Sequence, residues 1–119
     1  MAKYVDICFF PISKKNLAAY KKNTGSIGKL LLKHGALASR DFVADDVNAT
    51  KDMFPKMIKI KPSEVLIFAV AEFNSKAHRA KVFKLMEKDP AMEKLMSNDL
   101  VDPKRMVMGG FKSLVDLER

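Results

Sequence analysis

The segment SKAHRAK, residues 75–81, has the residue types and the spacing best suited to chemistry in this chain. Ser75 is a favourable N-cap, which makes His78 the third residue of a helix. The helix dipole disfavours a charged imidazole at this end, so we expect a neutral ring that can act as a base or an acceptor. Arg79 could hold an anion together with the free N–H groups of the first turn. In the alternative interpretation, His78 packs beneath the helix and Arg79 forms a surface or intersubunit ion pair.

Two ionisable residues outside this segment are candidates for binding a ligand. His34 precedes Gly35, where the first helix is expected to end, and a cationic ring is favourable near a helix C-terminus. A ligand role for His34 is the alternative. Asp6 lies inside an apolar strand, so we expect it at a rim or paired with a cation. The predicted ligand-binding residues are Arg79, His34, Arg105 and Asp6.

The adjacent carboxylates Asp45 and Asp46 resemble a catalytic pair only at first sight. Neighbouring residues of a strand point to opposite faces, so the two side chains cannot act together there. Capping of the following turn suits them better than catalysis. One of them could still face Arg105 or His78, which keeps Asp45 beside His78 as a catalytic candidate.

Metal binding and nucleophilic catalysis are poorly supported. Cys8 is the only cysteine and has no histidine close in sequence to activate its thiol, so we expect a small buried strand residue. One cysteine excludes an intramolecular disulfide and suits a reducing cytosol. His34 and His78 lie 44 positions apart, which matches no metal-ligand spacing. We therefore predict no metal and no cofactor.

The net charge of +8 raises the question of a polyanionic partner. The excess is almost all lysine, and the basic residues are spread along the chain in runs of at most two, as at Lys14-Lys15. No arginine-rich segment or zinc-finger spacing is present. A solvated basic surface explains this pattern best, with nucleic acid as the alternative partner.

Seven secondary-structure elements are predicted from hydrophobic spacing and from helix start and stop residues. They are a strand from Lys3 to Pro11, a helix from the Ser13 cap to Gly35, a strand from Ala36 to Val47, a central strand from Glu64 to Phe73, a helix capped by Ser75, a short helix after Asp89-Pro90, and a strand from Arg105 to Leu117. Residues 48–63 are predicted to form an apolar loop or a short hairpin arm that packs on the domain.

This order predicts an α+β ferredoxin-like βαββαβ sandwich, with a four-stranded antiparallel sheet and helices on one face. The 119 residues suit one domain, spanning 1–119. The strands are too apolar for the other sheet face to lie in water. We therefore expect a homodimer that forms through the sheet as an α/β barrel.

Gly109 and Gly110 lie in the middle of the last predicted strand, where glycine is unfavourable. Either they form a bulge that bends the strand, or a neighbouring backbone or ring packs closely against them. A ligand passing over bare backbone is the less favoured alternative.

Several segments together resemble the YbaA-like family of unknown function, which is assigned to the dimeric α/β-barrel superfamily. They are YVD, KKNLAAY, HGAL, VADDV, FP, SKAHR, DP and RMVMGGFKSLVDL, in this order over nearly the whole chain. The resemblance implies the ferredoxin-like fold and the dimer but no activity, because the family has no established one. Relatives in the wider superfamily include cofactor-free monooxygenases, haem-handling enzymes and stress-response barrels, which implies only that the fold can host a pocket between sheet and helices. Family members tend to have His-Arg-Asp where this chain has His78, Arg79 and Ala80, so a site that needs that acidic residue would be altered here.

The function that these observations favour is binding of a small polar or anionic molecule in a pocket between sheet and helices, with a cofactor-free enzyme as one form of it. The alternatives are a basic module for nucleic acid and a stress or interaction protein without catalysis. No apolar run approaches the roughly 20 residues of a membrane span. The N-terminus is too short and interrupted for a secretory signal, so we expect a cytoplasmic protein without membrane contact.

Overall fold

The computed structural model describes residues 3–45 and 58–119. Its elements in chain order are β1 (Tyr4–Ser13), a 3-10 turn (Lys14–Asn16), α1 (Leu17–Lys33), β2 (Ala38–Val43), β3 (Glu64–Phe73), α2 (Lys76–Lys88), α3 (Pro90–Met96), a second 3-10 turn (Pro103–Arg105) and β4 (Val107–Lys112). Asp46 and most of the predicted 48–63 loop lie outside the described residues.

The four strands form one antiparallel sheet in the order β2-β3-β1-β4. β1 and β3 lie in the middle and pair along their whole lengths, from Tyr4 opposite Phe73 to Ser13 opposite Glu64. The shorter β2 and β4 form the edges. This is the predicted ferredoxin-like arrangement, and the three α-helices cover one face of the sheet.

The predicted end of β1 at Pro11 is wrong, because the strand continues through Pro11 to Ser13. Pro11 lies opposite Leu66 of β3, but on the other side β4 pairs only with Tyr4–Phe9. Among the described residues, the proline therefore has no second strand beside it. Proline is tolerated at such positions, where a strand needs no further ladder hydrogen bonds.

The predicted lengths of the two edge strands are too long. Asp102 accepts a hydrogen bond from the backbone of Lys104 and starts a 3-10 turn, so β4 begins at Val107 instead of Arg105. At its other end Lys112 lies opposite Tyr4, where β1 itself begins, and no partner strand remains. The second edge strand, β2, spans Ala38–Val43 instead of beginning at Ala36.

The helix termini show which capping predictions hold. The Ser13 side chain makes no capping hydrogen bond, and a 3-10 turn separates it from the start of α1 at Leu17. At α2, the Ser75 hydroxyl accepts a hydrogen bond from the backbone N–H of His78 at 3.0 Å, which confirms this N-cap. Gly35 follows α1 at φ +111°, a conformation that favours glycine and confirms the predicted left-handed end.

Buried side chains between sheet and helices form two separate clusters. One contains Ala36, Ala71, Phe73, Val82 and Met86. The other contains Phe10, Ile12, Tyr20 and Ile67. Members of both clusters border the same cavity, so the core is divided by an internal space instead of being filled continuously.

The opposite side of the sheet, called here the open face, carries the other half of the strand residues. By register these are Val5, Ile7, Phe9, Pro11 and Ser13 of β1, Ala38, Arg40 and Phe42 of β2, Glu64, Leu66, Phe68, Val70 and Glu72 of β3, and Val107, Gly109 and Phe111 of β4. Phe9 and Phe42 flank Phe68 with ring centroids 4.8 and 5.9 Å apart, forming an aromatic row across three strands. Phe42 and Phe111 remain 52% and 53% exposed at the two edges.

The two glycines of β4 lie on opposite faces of the sheet. Both take part in an uninterrupted register, with Gly109 opposite Ile7 and Gly110 opposite Asp6, so a bulge is not their role. A Cβ atom on Gly110 would lie 2.2 Å from the Tyr4 hydroxyl oxygen and 2.9 Å from Cζ of the same ring. Gly110 is thus required by close packing of a ring, as one of the two predicted alternatives stated.

Candidate ligand cavity

A cavity of about 630 Å³ lies between the helix-covered face of the sheet and the helices. This volume is within the range of small-molecule sites, about 300 to 1,000 Å³. Its wall is predominantly apolar. Among the apolar lining residues are Phe10, Ile27, Leu31, Ala69, Phe83 and Met92. The β1 residues Asp6 and Cys8 line its floor.

A hydrogen-bonded polar cluster forms one part of the wall. Tyr20 and Thr24, one turn apart on α1, both donate to Oδ2 of Asp41 on β2, at 2.5 and 3.1 Å. Tyr20 is buried, and desolvation, followed by its hydrogen bond to Asp41, raises the pKa of the phenol well above its usual range. The Tyr20 hydroxyl therefore keeps its proton and holds the carboxylate of an edge strand against the helix.

The ion pair between Asp6 and Arg79 lies beside the cavity. Nε and one terminal nitrogen of Arg79 both donate to Oδ1 of Asp6, at 2.9 and 2.6 Å. The guanidinium also lies 4.6 Å from the ring centroid of Phe83 and 6.0 Å from that of Tyr4. Asp6 is only 9% exposed, and it is paired, as one of its two predicted alternatives stated.

Cys8 lies next to Asp6 on the same face of β1 and lines the cavity. Burial, with smaller contributions from the negative charges of Asp6 and Asp41, raises the pKa of its thiol to about 11. A thiol with this pKa is almost entirely protonated at neutral pH and is a weak nucleophile. The geometry therefore makes Cys8 part of the cavity wall, without the features of an activated nucleophile.

His78 is held away from the cavity wall. Its Nδ1 accepts a hydrogen bond from the backbone N–H of Asn74 at 2.9 Å, an arrangement compatible only with an unprotonated Nδ1. The ring packs edge-on against Phe73 with centroids 5.7 Å apart, and Nε2 lies 3.6 Å from the position a Cβ would take on Gly35. His78 is half-buried and joins the start of α2 to the end of α1.

His34 at the end of α1 and Asp89 at the start of α3 form a hydrogen bond. Nε2 of His34 lies 2.7 Å from Oδ2 of Asp89, and both side chains are largely buried. The hydrogen bond from His34 holds the pKa of the Asp89 carboxyl below its usual value. Asp89 also accepts from the backbone N–H of Ala91 through Oδ1, which caps α3.

Arg105 is engaged at the other end of the sheet. Its guanidinium donates to both carboxylate oxygens of Glu64, at 2.5 and 3.0 Å, and to the backbone carbonyl of Lys59 at 2.9 Å. These hydrogen bonds hold the pKa of Glu64 below its usual value and raise that of Arg105. The contacts tie the turn before β4 to the start of β3.

Asp45 is exposed just beyond β2, near the end of the sheet where Leu66 lies. His78 packs on Phe73, seven residues along β3, which corresponds to roughly 20 Å of strand. The structure thus does not bring the two catalytic candidates together. Of the six candidates, Asp6 lines the cavity and Arg79 holds it in place.

The cluster of Tyr20, Thr24 and Asp41 was not predicted from the sequence. Tyr20 and Thr24 are four residues apart, so helical spacing alone places them on one face of α1. The contribution of Asp41 depends on which face of β2 it occupies, and the register that places it opposite Ala69 could not be inferred from the strand alone. The alternation of Ser39 and Asp41 with Arg40 and Phe42 was the available signal.

Within residues 3–45 and 58–119, no group of three or more His, Cys, Asp or Glu side chains is arranged to hold a metal ion. Among the helices in those same ranges, none is long and apolar enough to cross a membrane.

Comparison with known proteins identifies the family of this chain. Residues 3–103 match the family described as "Protein of unknown function (DUF1428)". This chain belongs to the DUF1428 family. The uncharacterized protein YbaA of Escherichia coli (strain K12) is 32% identical to it over 117 residues, covering 96% of this chain and 98% of the relative. YbaA of Shigella flexneri matches with the same values. The predicted resemblance to YbaA-like proteins is confirmed.

A solved structure supports the fold independently of close sequence similarity. A dimeric ferredoxin-like protein from an uncultured marine organism aligns with 100% of this chain and 94% of its own, with a TM-score of 0.62 and 16% sequence identity. At this identity the similarity concerns the fold, which it confirms as ferredoxin-like.

Proposed function

We propose that this DUF1428 member is a homodimeric binding protein that takes up a small molecule in the cavity between sheet and helices. The observation that carries the proposal is the cavity itself, with its volume of about 630 Å³, its apolar wall and its few polar groups. This combination is typical of small-molecule sites, in which the apolar surface contributes affinity and a few polar groups fix orientation.

The proposed dimer rests on the open face. Its aromatic row and the exposed Phe42, Val107 and Phe111 form an apolar surface of a kind that usually marks an interaction site. The structurally similar marine protein is described as dimeric. A second copy of this chain, placed with its own open face against the first, would cover both surfaces at once.

Binding in the cavity is tested with Nile red, an uncharged apolar dye whose fluorescence increases in apolar surroundings. Ala69→Leu adds volume to the cavity wall, since Ala69 lines it, and we expect dye affinity to fall about tenfold or more. The matched control is Ala38→Leu, the same change on the open side of β2. Equal affinities for both variants and the unchanged protein would contradict binding in the cavity.

Catalysis by His78 or Asp45, and ligand contacts by His34 and Arg105, are proposals separate from this cavity, because none of these four residues lines it. An anionic ligand would engage Arg79, but only by competing with Asp6. A basic module for nucleic acid remains the alternative. It requires RNA affinity that falls steeply as salt increases, whereas binding of an apolar molecule is insensitive to salt. The single cysteine suits a reducing compartment, and we propose the cytoplasm.

A further inference from the structure

The charge of the cavity wall is opposite to that of the protein. The chain contains 22 Lys and Arg residues and has a net charge of +8. Apart from Cys8 and Tyr20, the described part of the chain contributes three ionisable side chains to the cavity wall, namely Asp6, Asp41 and Glu87. No Lys, Arg or His is among the lining residues there. Arg79 neutralises Asp6, so the negative charge that borders the space for a ligand comes from Asp41 and Glu87.

Several hydrogen-bond donors of the wall are already used within the protein, while the side chains of Asn23 and Ser39 remain as neutral donors. The hydroxyl groups of Tyr20 and Thr24 both donate to Asp41. The side-chain amide of Asn98 donates to the backbone carbonyl of Leu95 at 2.7 Å. A carboxylate or a phosphate would find neutral donors there, but no cationic side chain among the lining residues in the described part of the chain.

Acceptor oxygens, in contrast, remain available. Both contacts of Arg79 go to Oδ1 of Asp6, so within residues 3–45 and 58–119 Oδ2 makes no hydrogen bond. Asp6 as a whole is nine-tenths buried. In those ranges, every fully enclosed side-chain oxygen has a hydrogen-bond partner. Because Oδ2 of Asp6 has none, this oxygen must keep some accessible surface, and Asp6 lines the cavity. Asp41 likewise uses only Oδ2 for its two hydrogen bonds.

We propose that the cavity selects a molecule with an apolar body and a protonated amine as its head group. The inference rests on the proposed function and gives the ligand its chemical class. The ammonium head would donate to Oδ1 of Asp41 at the exposed rim, and the body would lie against Phe10, Ile27 and Met92. Hydrogen bonds between an ammonium and a carboxylate are about twice as strong as those between neutral groups.

Two further properties support an amine over an anion. The pKa of Cys8, which lies between these carboxylates, is raised by burial and then by the charges of Asp6 and Asp41, as a negative local potential requires. The basic outer surface opposes entry of a cation only weakly, because salt screens exposed charges beyond about 8 Å at physiological ionic strength.

The test uses three probes with the same ten-carbon chain: decylamine, decanol and decanoate. Each displaces Nile red from the unmodified protein at pH 7.4, below its critical micelle concentration. We expect decylamine to bind about tenfold more tightly than decanol, and decanoate to bind most weakly. Tightest binding by decanoate, or equal binding by all three, would overturn the inference.

A variant pair assigns the preference to the cavity. Asp41→Asn keeps an acceptor for Tyr20 but removes the negative charge, and we expect the affinity for decylamine to fall about tenfold while that for decanol is unchanged. Glu72→Gln removes a carboxylate from the open face and is expected to change neither. Equal effects of the two variants would contradict the inference. If Nile red binding itself does not respond to Ala69→Leu, the proposed function fails; if it responds but the head groups are not distinguished, only the ligand class fails.

Discussion

The two faces of the sheet carry similar residue types but differ in how those residues are covered. On the helix-covered face a charged pair, Asp6 and Arg79, is enclosed among aromatic rings beside a cavity. On the open face a charged pair of the same kind, Arg40 and Glu72, lies at a sheet edge with the arginine side chain 59% exposed. Because removing one partner of a buried pair leaves an uncompensated charge, we expect the covered pair to contribute more to the free energy of unfolding than the exposed one.

The largest expected effect concerns the open face as an interface. Phe42→Glu combined with Phe111→Glu places two charges on its exposed edges, and we expect dimer affinity to fall at least about 100-fold, close to 3 kcal/mol. Native mass spectrometry over a protein dilution series measures this. The control is Leu32→Glu combined with Leu85→Glu, two exposed positions in the helical layer. Loss of the dimer in the control, or its persistence in the open-face variant, would move the interface elsewhere.

A smaller effect is expected on the free energy of unfolding when each of the two ion pairs is removed. Arg79→Met leaves the Asp6 carboxylate buried without its cation and removes the packing on Phe83, so we expect the free energy of unfolding to fall by about 2 to 3 kcal/mol. Arg40→Met removes an exposed pair and should cost about 0.5 kcal/mol or less. Urea denaturation of both variants at the same protein concentration checks this. Similar losses would remove the contrast between the faces.

The smallest effect compares the adjacent glycines of β4. Gly110→Ala forces the Tyr4 ring to move, because the new Cβ would lie 2.2 Å from its hydroxyl oxygen, and we expect a loss of about 1 to 2 kcal/mol. Gly109→Ala meets Phe111 at an ordinary 3.5 Å and should be within about 0.5 kcal/mol of neutral. Thermal unfolding separates the two. In a Tyr4→Ala background the cost at Gly110 should disappear, and a cost that persists would contradict close packing against Tyr4 as its cause.

The fold was predictable from the sequence because its main signals are local. The apolar run Glu64–Phe73 has the same bounds in the structure as in the prediction, and the Ser75 and Gly35 helix ends have the predicted geometry. The ends of β1 and β4 were not predictable in this way. They depend on which strand lies alongside at Pro11 and at Lys112, which is a property of the assembled sheet.

The candidate site was less predictable for the same reason. Asp6 inside an apolar strand indicated a partner, but the sequence did not identify Arg79, which lies 73 residues away. Tyr20 and Asp41 meet across 21 residues and through two different elements. The position of His78 in sequence suggested catalysis, whereas its hydrogen bond to Asn74 and its packing on Phe73 account for the residue structurally.

Asp89 affects how the three helices can move relative to the sheet. Its backbone N–H donates to the carbonyl of Met86 at the end of α2, and its Oδ1 accepts from the backbone N–H of Ala91 at the start of α3. Its Oδ2 is hydrogen-bonded to His34 at the end of α1. The residue Asp89 thus connects α1, α2 and α3 at one point above the cavity. Because His34 holds the pKa of Asp89 below its usual value, this connection persists into moderately acidic solution. We expect the three helices to move together, and a ligand to enter the cavity on the side away from Asp89.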